Sequence, residues 1–293
     1  MRLLLATLVC CSLYPLQAAE LPKPKLLGSC TVEQLREQPY AEWSVPGFDE
    51  YESNAKVVDE LQQMDLSGVE LTVFFGSWCG DSRREVPRLM RLGESLGLQA
   101  EQLRWIAVDN DRERVKRSPD GEEAGKGIYR VPTILVERDG KEIGRIIEHP
   151  VLSLERDLRS ILNRDEYRPS YPVYELIENW LEDGLLADPA VSAAGLATLA
   201  RPHVNGRGDL AAAGSVLRSR GQLDEAIKLL ETNCDLFWDA ARSHQQLAEA
   251  LIERGDFEAA NRSIRRAIAR NDDDERMDAL LELLALAKVV DTP

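Results

Sequence analysis

The feature that most constrains the fold is a β-branched and aromatic run, Val69–Phe75, that leads directly into Trp78 and Cys79. Such a run is typical of a buried strand. Residues 83–96 carry apolar residues at helical spacing, interrupted by Pro87. Cys79 is therefore expected between the end of a strand and the start of a helix, where free backbone N–H groups and the helix dipole favour a thiolate.

Further patterns extend this strand and helix into an α/β unit. Helices are predicted at residues 53–64 and 152–163, and strands at residues 103–108, 134–136 and 142–147, the last two joined by a tight turn. This order of elements predicts a sheet covered by helices. Residues 20–50 are predicted to form an N-terminal extension with a short helix over residues 31–38, where Thr31 and Gln34 have the spacing of a capping box.

Four features together resemble the thioredoxin family. They are Trp78-Cys79-Gly80-Asp81-Ser82 after an apolar strand, Pro87 eight residues beyond the cysteine, Val131-Pro132-Thr133 before another strand, and the Asp139-Gly140 turn. The resemblance covers roughly residues 50 to 163. It implies a thioredoxin-like domain over residues 51–165 and no cofactor.

The resemblance implies that Cys79 is the nucleophile of thiol–disulfide exchange. It places Ser82 where the family carries its second cysteine, and a serine hydroxyl can donate a hydrogen bond to a thiolate. Arg83 lies four residues after Cys79, on the same helix face, whereas Asp81 does not face the sulfur. We therefore predict Cys79, Ser82 and Arg83 as catalytic residues. The buried acid of thioredoxins is replaced here by Val73.

The family also implies a cis peptide bond before Pro132, with Val131 and Thr133 lining a groove for an extended substrate and Trp78 offering an apolar contact. These four residues are the predicted substrate-binding set. Taken alone, Pro132 is equally explained as a proline in the loop before a strand, and Trp78 as an aromatic residue that packs without a function.

The absence of a second cysteine at position 82 limits the chemistry. Ser82 cannot attack a mixed disulfide, so an adduct on Cys79 must persist until an external thiol donor arrives. Cys30 is either a distant resolving cysteine or, as we favour, a thiol without a role. Cys234 is expected to fill the core of a helix.

From residue 166 the strand pattern disappears and alanine- and leucine-rich helical segments follow. The sequence of residues 221–226 recurs 34 residues later at 255–260, which resembles tetratricopeptide repeats. Two repeats cannot bury a core alone, so flanking helices are predicted at residues 173–183, 189–199 and 274–289. By repeat position, Arg242, Gln245 and Glu249 are predicted to face a partner groove. The predicted fold is thus an α/β thioredoxin-like domain followed by an all-α tetratricopeptide-like helical repeat domain over residues 166–293.

The N-terminus and the charge bear on location and partners. Residues 1–19 combine Met1-Arg2, an apolar stretch and Gln17-Ala18-Ala19, which predicts a cleaved secretory signal and a soluble periplasmic or secreted protein. An uncleaved anchor is the alternative, although a span requires roughly 18 apolar residues. A net charge of −15 argues against nucleic acid, and the scattered histidines and cysteines argue against a metal site.

Two functions remain open from the sequence. The first is an exported monothiol oxidoreductase in which Cys79 forms mixed disulfides with oxidised client proteins or peptides while the repeats recruit partners. The second is a non-enzymatic adaptor or chaperone that binds proteins through the thioredoxin-like and repeat surfaces. The first is favoured because the Trp-Cys-Gly motif and both prolines occur together.

Overall fold

The computed structural model describes residues 24–289. Within this range a five-stranded sheet with covering helices is followed by a run of helices. The predicted fold class, an α/β unit followed by an all-α unit, is therefore confirmed. The predicted signal segment, residues 1–19, lies outside the described residues.

The sheet places the strand that carries the cysteine motif at its centre. The strands are β1 (Gly28–Cys30), β2 (Val69–Phe75), β3 (Leu103–Ala107), β4 (Thr133–Arg138) and β5 (Lys141–Ile147). Their order is β1-β3-β2-β4-β5, with β2 and β3 parallel and the other neighbours antiparallel. Because β2 has a strand on each side and is covered on both faces, nearly all of its side chains are buried.

Five helices belong to the α/β unit: α1 (Val32–Leu35), α2 (Ala41–Asp49), α3 (Ala55–Gln62), α4 (Gly80–Leu96) and α5 (Leu154–Asn163). The capping box predicted for Thr31 and Gln34 is present at the start of α1. Of the segment predicted as an N-terminal extension, residues 20–50, the described part from residue 24 onward packs with this unit, since β1 pairs with β3 and α2 packs against α4.

The two faces of the sheet bury different clusters, because successive strand residues point to opposite sides. Val73 and Trp105 lie on the face covered by α3, α4 and α5, which we call the helix-covered face. Phe74 and Ile106 lie on the opposite face, together with Cys79, and we call it the cysteine face. Cys79 and the main core of the α/β unit are thus separated by the sheet.

The second unit consists of α6 (Val173–Glu182), α7 (Ala193–Ala200), α8 (Gly208–Ser219), α9 (Leu223–Leu236), α10 (Ala241–Arg254), α11 (Phe257–Ile268) and α12 (Asp274–Val289). The flanking helices predicted from the sequence are therefore present as α6, α7 and α12. No helix within residues 24–289 is long and apolar enough to cross a membrane.

The repeated segments form two helix pairs, α8 with α9 and α10 with α11. Each pair turns at a glycine of positive φ, +80° at Gly221 and +86° at Gly255, a conformation that L side chains rarely adopt. Residues 34 positions apart are buried in both pairs: Ala213 and Leu247, Gly214 and Ala248, Leu217 and Leu251, Ala226 and Ala260, and Leu230 and Ile264. The repeat read from the sequence is therefore a repeat of packing as well.

The two units share one apolar core at their junction. Tyr129 and Ile147 of the α/β unit are buried with Tyr174 and Ile177 of α6. The rings of Tyr129 and Tyr174 lie 5.1 Å apart between centroids. The helical unit is therefore packed against the segment that precedes β4.

Candidate functional site

Cys79 is the N-cap residue of α4, with extended backbone angles of φ −90° and ψ 129°. Its amide donates to the Gly76 carbonyl at 2.9 Å, and its own carbonyl accepts from the Arg83 amide at 3.0 Å. The side chain is partly exposed, and Sγ donates to the carbonyl oxygen of Val131 at 3.3 Å. The thiol therefore lies where the sequence predicted it, at the positive end of a helix and beside the segment before Pro132.

Ser82 is fully buried in the first turn of α4. Its Oγ accepts a hydrogen bond from the Gly76 amide at 3.1 Å. This bond ties the turn after β2 to the first turn of the helix that carries Cys79. Its predicted role, donation to the thiolate, stays a prediction.

Trp78 forms one wall of the site, and its indole is fixed by a hydrogen bond and by a close contact with Gly76. Its Nε1 donates to the Val108 carbonyl at 2.9 Å. The indole lies so close to Gly76 that a Cβ there would come within 2.5 Å of the ring. Gly76 is thus required by the close approach of the indole.

Arg83 is directed to the backbone before the cysteine. Its Nε donates to the Ser77 carbonyl at 2.7 Å. Asp81 is paired with Arg84 at 2.9 Å, which reduces the repulsion that its carboxylate exerts on an anion at the helix start. The hydrogen bond of Arg83 supports the turn that presents Cys79, and its predicted action on the sulfur stays a prediction.

Lys116 is a cation near Cys79 that the sequence did not reveal. It belongs to the loop between β3 and β4, and its Nζ lies 4.3 Å from the centroid of the Trp78 ring. Burial lowers the pKa of Lys116 to about 8, and interaction with Cys79 opposes that fall. In the sequence Lys116 is one charged residue among many in residues 109–126, so no local signal distinguishes it.

The bond between Val131 and Pro132 is cis, as the resemblance implied. The side chains of Val131 and Thr133 are buried, with 2% and 1% of their surface exposed. Thr133 Oγ1 donates to the Arg130 carbonyl at 2.8 Å. The side chains of both residues therefore face the core, and the carbonyl of Val131 is the group that faces Cys79; that Val131 and Thr133 line a substrate groove stays a prediction.

Arg130 joins the segment before Pro132 to the helical unit. Its guanidinium donates to Glu148 Oε1 at 2.8 Å, to the hydroxyl of Tyr174 at 2.8 Å and to Asp209 Oδ1 at 3.1 Å. The same group lies 4.3 Å from the centroid of the Tyr171 ring. In the sequence, Arg130 is marked only by its position next to Val131, because the residues that it contacts are distant in the chain.

The three described cysteines are all free. Cys30 lies opposite Trp105 in the sheet, and Trp105 lies opposite Val73. These three residues pack on the helix-covered face, whereas Cys79 packs on the cysteine face. Burial raises the pKa of Cys30 to about 12, which suppresses its thiolate. The sheet thus separates Cys30 from Cys79.

Cys234 is buried in α9, where it packs with Leu230 and Leu247. Burial raises its pKa to about 12 as well. Both features agree with the core-filling role expected from the sequence.

The three residues predicted for a partner groove have different surroundings. Arg242 is exposed. Gln245 Nε2 donates to Glu249 Oε1 at 3.2 Å, and Glu249 Oε2 accepts from Arg112 at 3.0 Å. Arg112 belongs to the same loop as Lys116, so Glu249 contacts the α/β unit of its own chain. Among residues 24–289 no group of three or more His, Cys, Asp or Glu side chains could hold a metal ion.

Comparison with known proteins agrees with both halves of the structure. The tetratricopeptide repeat family matches residues 216–284. The chain is 31% identical over 88 residues to a thioredoxin of Listeria monocytogenes, which is 30% of this chain and 76% of that protein. It is 32% identical over 90 residues to a thioredoxin of Bacillus subtilis, 30% of this chain and 77% of that protein. No solved structure matches it significantly.

The repeat match runs from the end of α8 through α9, α10 and α11 into α12. The chain therefore joins a domain of the thiol-redox type to helical repeats of the protein-interaction type, and through its α/β unit it belongs to the thioredoxin family.

Proposed function

We propose that this chain is an exported monothiol exchange protein in which Cys79 forms mixed disulfides with oxidised client proteins. The observation that carries the proposal is made at the start of α4. There Cys79 is partly exposed, and Ser82, at the position of the family's second cysteine, is buried. Cys30, which lies on the opposite face of the sheet, is not placed to resolve the adduct.

The chemistry is a pair of exchanges that balance without another oxidant. The Cys79 thiolate attacks one sulfur of a client disulfide; a new S–S bond forms, the client S–S bond breaks, and the released client thiolate takes a proton from solvent. An external thiolate then attacks the client sulfur of the mixed disulfide; a client–donor S–S bond forms, the bond to Cys79 breaks, and Cys79 leaves as a thiolate. Because Ser82 carries no sulfur, the lifetime of the adduct depends on that external thiol.

The helical repeats are proposed to recruit the client. Repeats of this type present an extended surface to a protein or peptide. Arg242, which its repeat position assigns to that surface, is exposed, whereas Glu249 is engaged by Arg112. Export to the periplasm or outside the cell is proposed from residues 1–19, whose composition fits a secretory signal.

The test is capture of a defined disulfide. The purified protein is incubated with a disulfide-linked dimer of a short peptide, and the adducts are mapped by mass spectrometry. We expect a mixed disulfide on Cys79 that disappears on adding dithiothreitol. Cys79→Ser should abolish the adduct, whereas the matched control Cys30→Ser should retain it.

One observation favours the adaptor as a second candidate. The hydrogen bond from Cys79 Sγ to the Val131 carbonyl occupies a backbone acceptor in the segment that is predicted to pair with a substrate. An adaptor would bind its partner equally well with Cys79→Ser. Absence of any Cys79 adduct in the capture experiment, together with unchanged binding, would establish this alternative.

A further inference from the structure

The loop over residues 109–117 brings Lys116 to the cysteine face. It is closed by two backbone hydrogen bonds, from the Asp109 amide to the Arg117 carbonyl at 2.9 Å and from the Lys116 amide to the Asp109 carbonyl at 2.9 Å. Lys116 itself has a φ of +59°, a left-handed conformation that is uncommon for a residue with a side chain. Its backbone is therefore fixed by the loop around it.

The helical unit holds the same loop from outside. Ser219 Oγ, at the end of α8, lies 3.3 Å from the Val115 carbonyl oxygen and 2.8 Å from that of Val216, and Arg117 donates to the Ser219 carbonyl at 3.3 Å. Arg112 donates to Glu249 of α10 at 3.0 Å. The residues on both sides of Lys116 are thus anchored to the helical repeats.

The Lys116 ammonium has no hydrogen-bond or ion-pair partner among the residues that the structure describes, and it lies against the Trp78 ring. The groups that act on it electrostatically are Cys79 and Glu148, which favour its charged form, and Arg130, which disfavours it. Glu148 is engaged by Arg130 and Tyr171. Of these two acids, Glu148 therefore already has a cationic partner, whereas the hydrogen bond of Cys79 goes to the Val131 carbonyl.

The hydrogen bond from Cys79 Sγ to the Val131 carbonyl exists only in the thiol form, because a thiolate has no proton to donate. An ammonium beside a thiolate forms an attractive charge pair in general.

We propose that Lys116 is a positioning residue for thiol exchange: its ammonium, held over Trp78 by a loop that the helical repeats anchor, stabilises the Cys79 thiolate. The inference rests on the proposed function, because it assigns a role to Lys116 only if Cys79 is the reacting group. It adds a second cation to Arg83, whose Nε donates to the Ser77 carbonyl and whose predicted action on the sulfur stays a prediction.

The experiment measures the pH dependence of Cys79 alkylation by iodoacetamide, followed on the Cys79 peptide by mass spectrometry. For Lys116→Met we expect the rate at about pH 7 to fall about three- to tenfold, the change in thiolate fraction for half to one pKa unit. The plateau at high pH should be equal or slightly higher, since a more basic thiolate is the stronger nucleophile. Lys116→Arg, which keeps the charge, should restore most of the rate. The matched control is Lys141→Met, which removes an exposed lysine at the β4–β5 turn and should match the wild type.

A second measurement uses the reciprocal effect and does not need a Lys116 variant. If the Cys79 thiolate and the ammonium stabilise each other, Cys79→Ser must lower the pKa of the lysine whose ε-carbon resonance titrates at the lowest pH. An unchanged lysine titration overturns the inference. So does an unchanged alkylation profile in Lys116→Met, or an equal loss in Lys116→Arg, which would indicate packing rather than charge.

The two proposals fail separately. If the peptide disulfide is captured on Cys79 but Lys116→Met has the wild-type profile, the proposed function stands and this inference is wrong. If Cys79 captures no disulfide in the wild type, the proposed function is wrong whatever the lysine does.

Discussion

Ser82 Oγ accepts a hydrogen bond from the Gly76 amide, so the residue that stands at the second sulfur position also closes the turn that presents Cys79. The hydroxyl is fully buried, and a buried amide without an acceptor is costly. Ser82 therefore has a structural role besides withholding a second thiol.

The first prediction is that Ser82→Cys shortens the life of the mixed disulfide on Cys79. A thiol at this position can attack the adduct and release the peptide without an external thiol. The measurement is the rate of peptide release after excess disulfide has been removed, followed by mass spectrometry. Ser82→Ala is the control: the adduct should persist, while the unpaired Gly76 amide should cost about 1 to 3 kcal/mol of unfolding free energy. Equal release rates for Ser82→Cys and the wild type would contradict the prediction.

The second prediction concerns the junction between the units. Arg130→Met removes the cation that contacts Glu148 and Asp209, and Asp209 is almost completely buried. Breaking a buried pair by removing one partner typically costs about 3 to 5 kcal/mol, because the other charge is left uncompensated. Urea unfolding monitored by circular dichroism measures the loss.

Two further variants separate charge from packing at this junction. Arg168→Met removes an arginine that is 77% exposed and pairs with the exposed Glu166, so it should change stability by less than about 0.5 kcal/mol. Adding Asp209→Asn to Arg130→Met should recover part of the loss, since the uncompensated carboxylate is then neutral. No recovery in the double variant would show that the carboxylate left on Asp209 does not account for the loss.

The third prediction concerns the turn of the second helix pair. Gly255 has a φ of +86°, and nothing lies within 4 Å of where a Cβ would stand. Gly255→Ala should therefore cost about 1 to 2 kcal/mol through backbone strain and not through a clash. Gly206→Ala is the matched control, because Gly206 has equally open space and its φ lies outside the positive range. Thermal or urea unfolding that ranks the two variants equally would refute the role of the turn.

Local patterns predicted the parts of the fold that depend on local packing. The 34-residue spacing identified both helix pairs because each glycine turn is encoded within its own repeat. The apolar run of β2 is identifiable because a central strand is buried on both faces. By contrast, β1 has only three residues and exists because β3 offers it an edge, which no local pattern records.

The candidate site shows the same division. Cys79, Ser82 and the cis bond before Pro132 follow from a motif that is contiguous or in register. Lys116 reaches the site through a loop closed by Asp109 and anchored by Ser219, so its place is set by contacts between distant segments. Glu249, which was predicted for a partner groove, contacts Arg112. No local sequence pattern reveals how the two units dock.

The last prediction is a pH dependence of stability centred on His244. This side chain is buried in α10, and its Nε2 lies 2.8 Å from the Trp238 carbonyl, so the neutral ring donates there. Burial lowers the pKa of His244 below its ordinary 6.5; the bond to Trp238 opposes this shift, and the nearby cations Arg270 and Arg266 add to it. The unfolded chain therefore binds the proton first as the pH falls. Stability from this group is complete above about pH 6.5 and is lost as the pH falls from there through the folded-state pKa.

His244→Gln removes the titrating group and keeps an N–H donor at this position. Between about pH 7.5 and about pH 5.5 the wild type should therefore lose more unfolding free energy than His244→Gln, by at most about 1.4 kcal/mol for the one pH unit below 6.5. Urea unfolding of both proteins at the two pH values measures the difference, and the carboxylates common to both cancel in the comparison. Identical losses would mean that His244 is protonated equally readily in the folded and unfolded chain, which is incompatible with a desolvated imidazole beside Arg270.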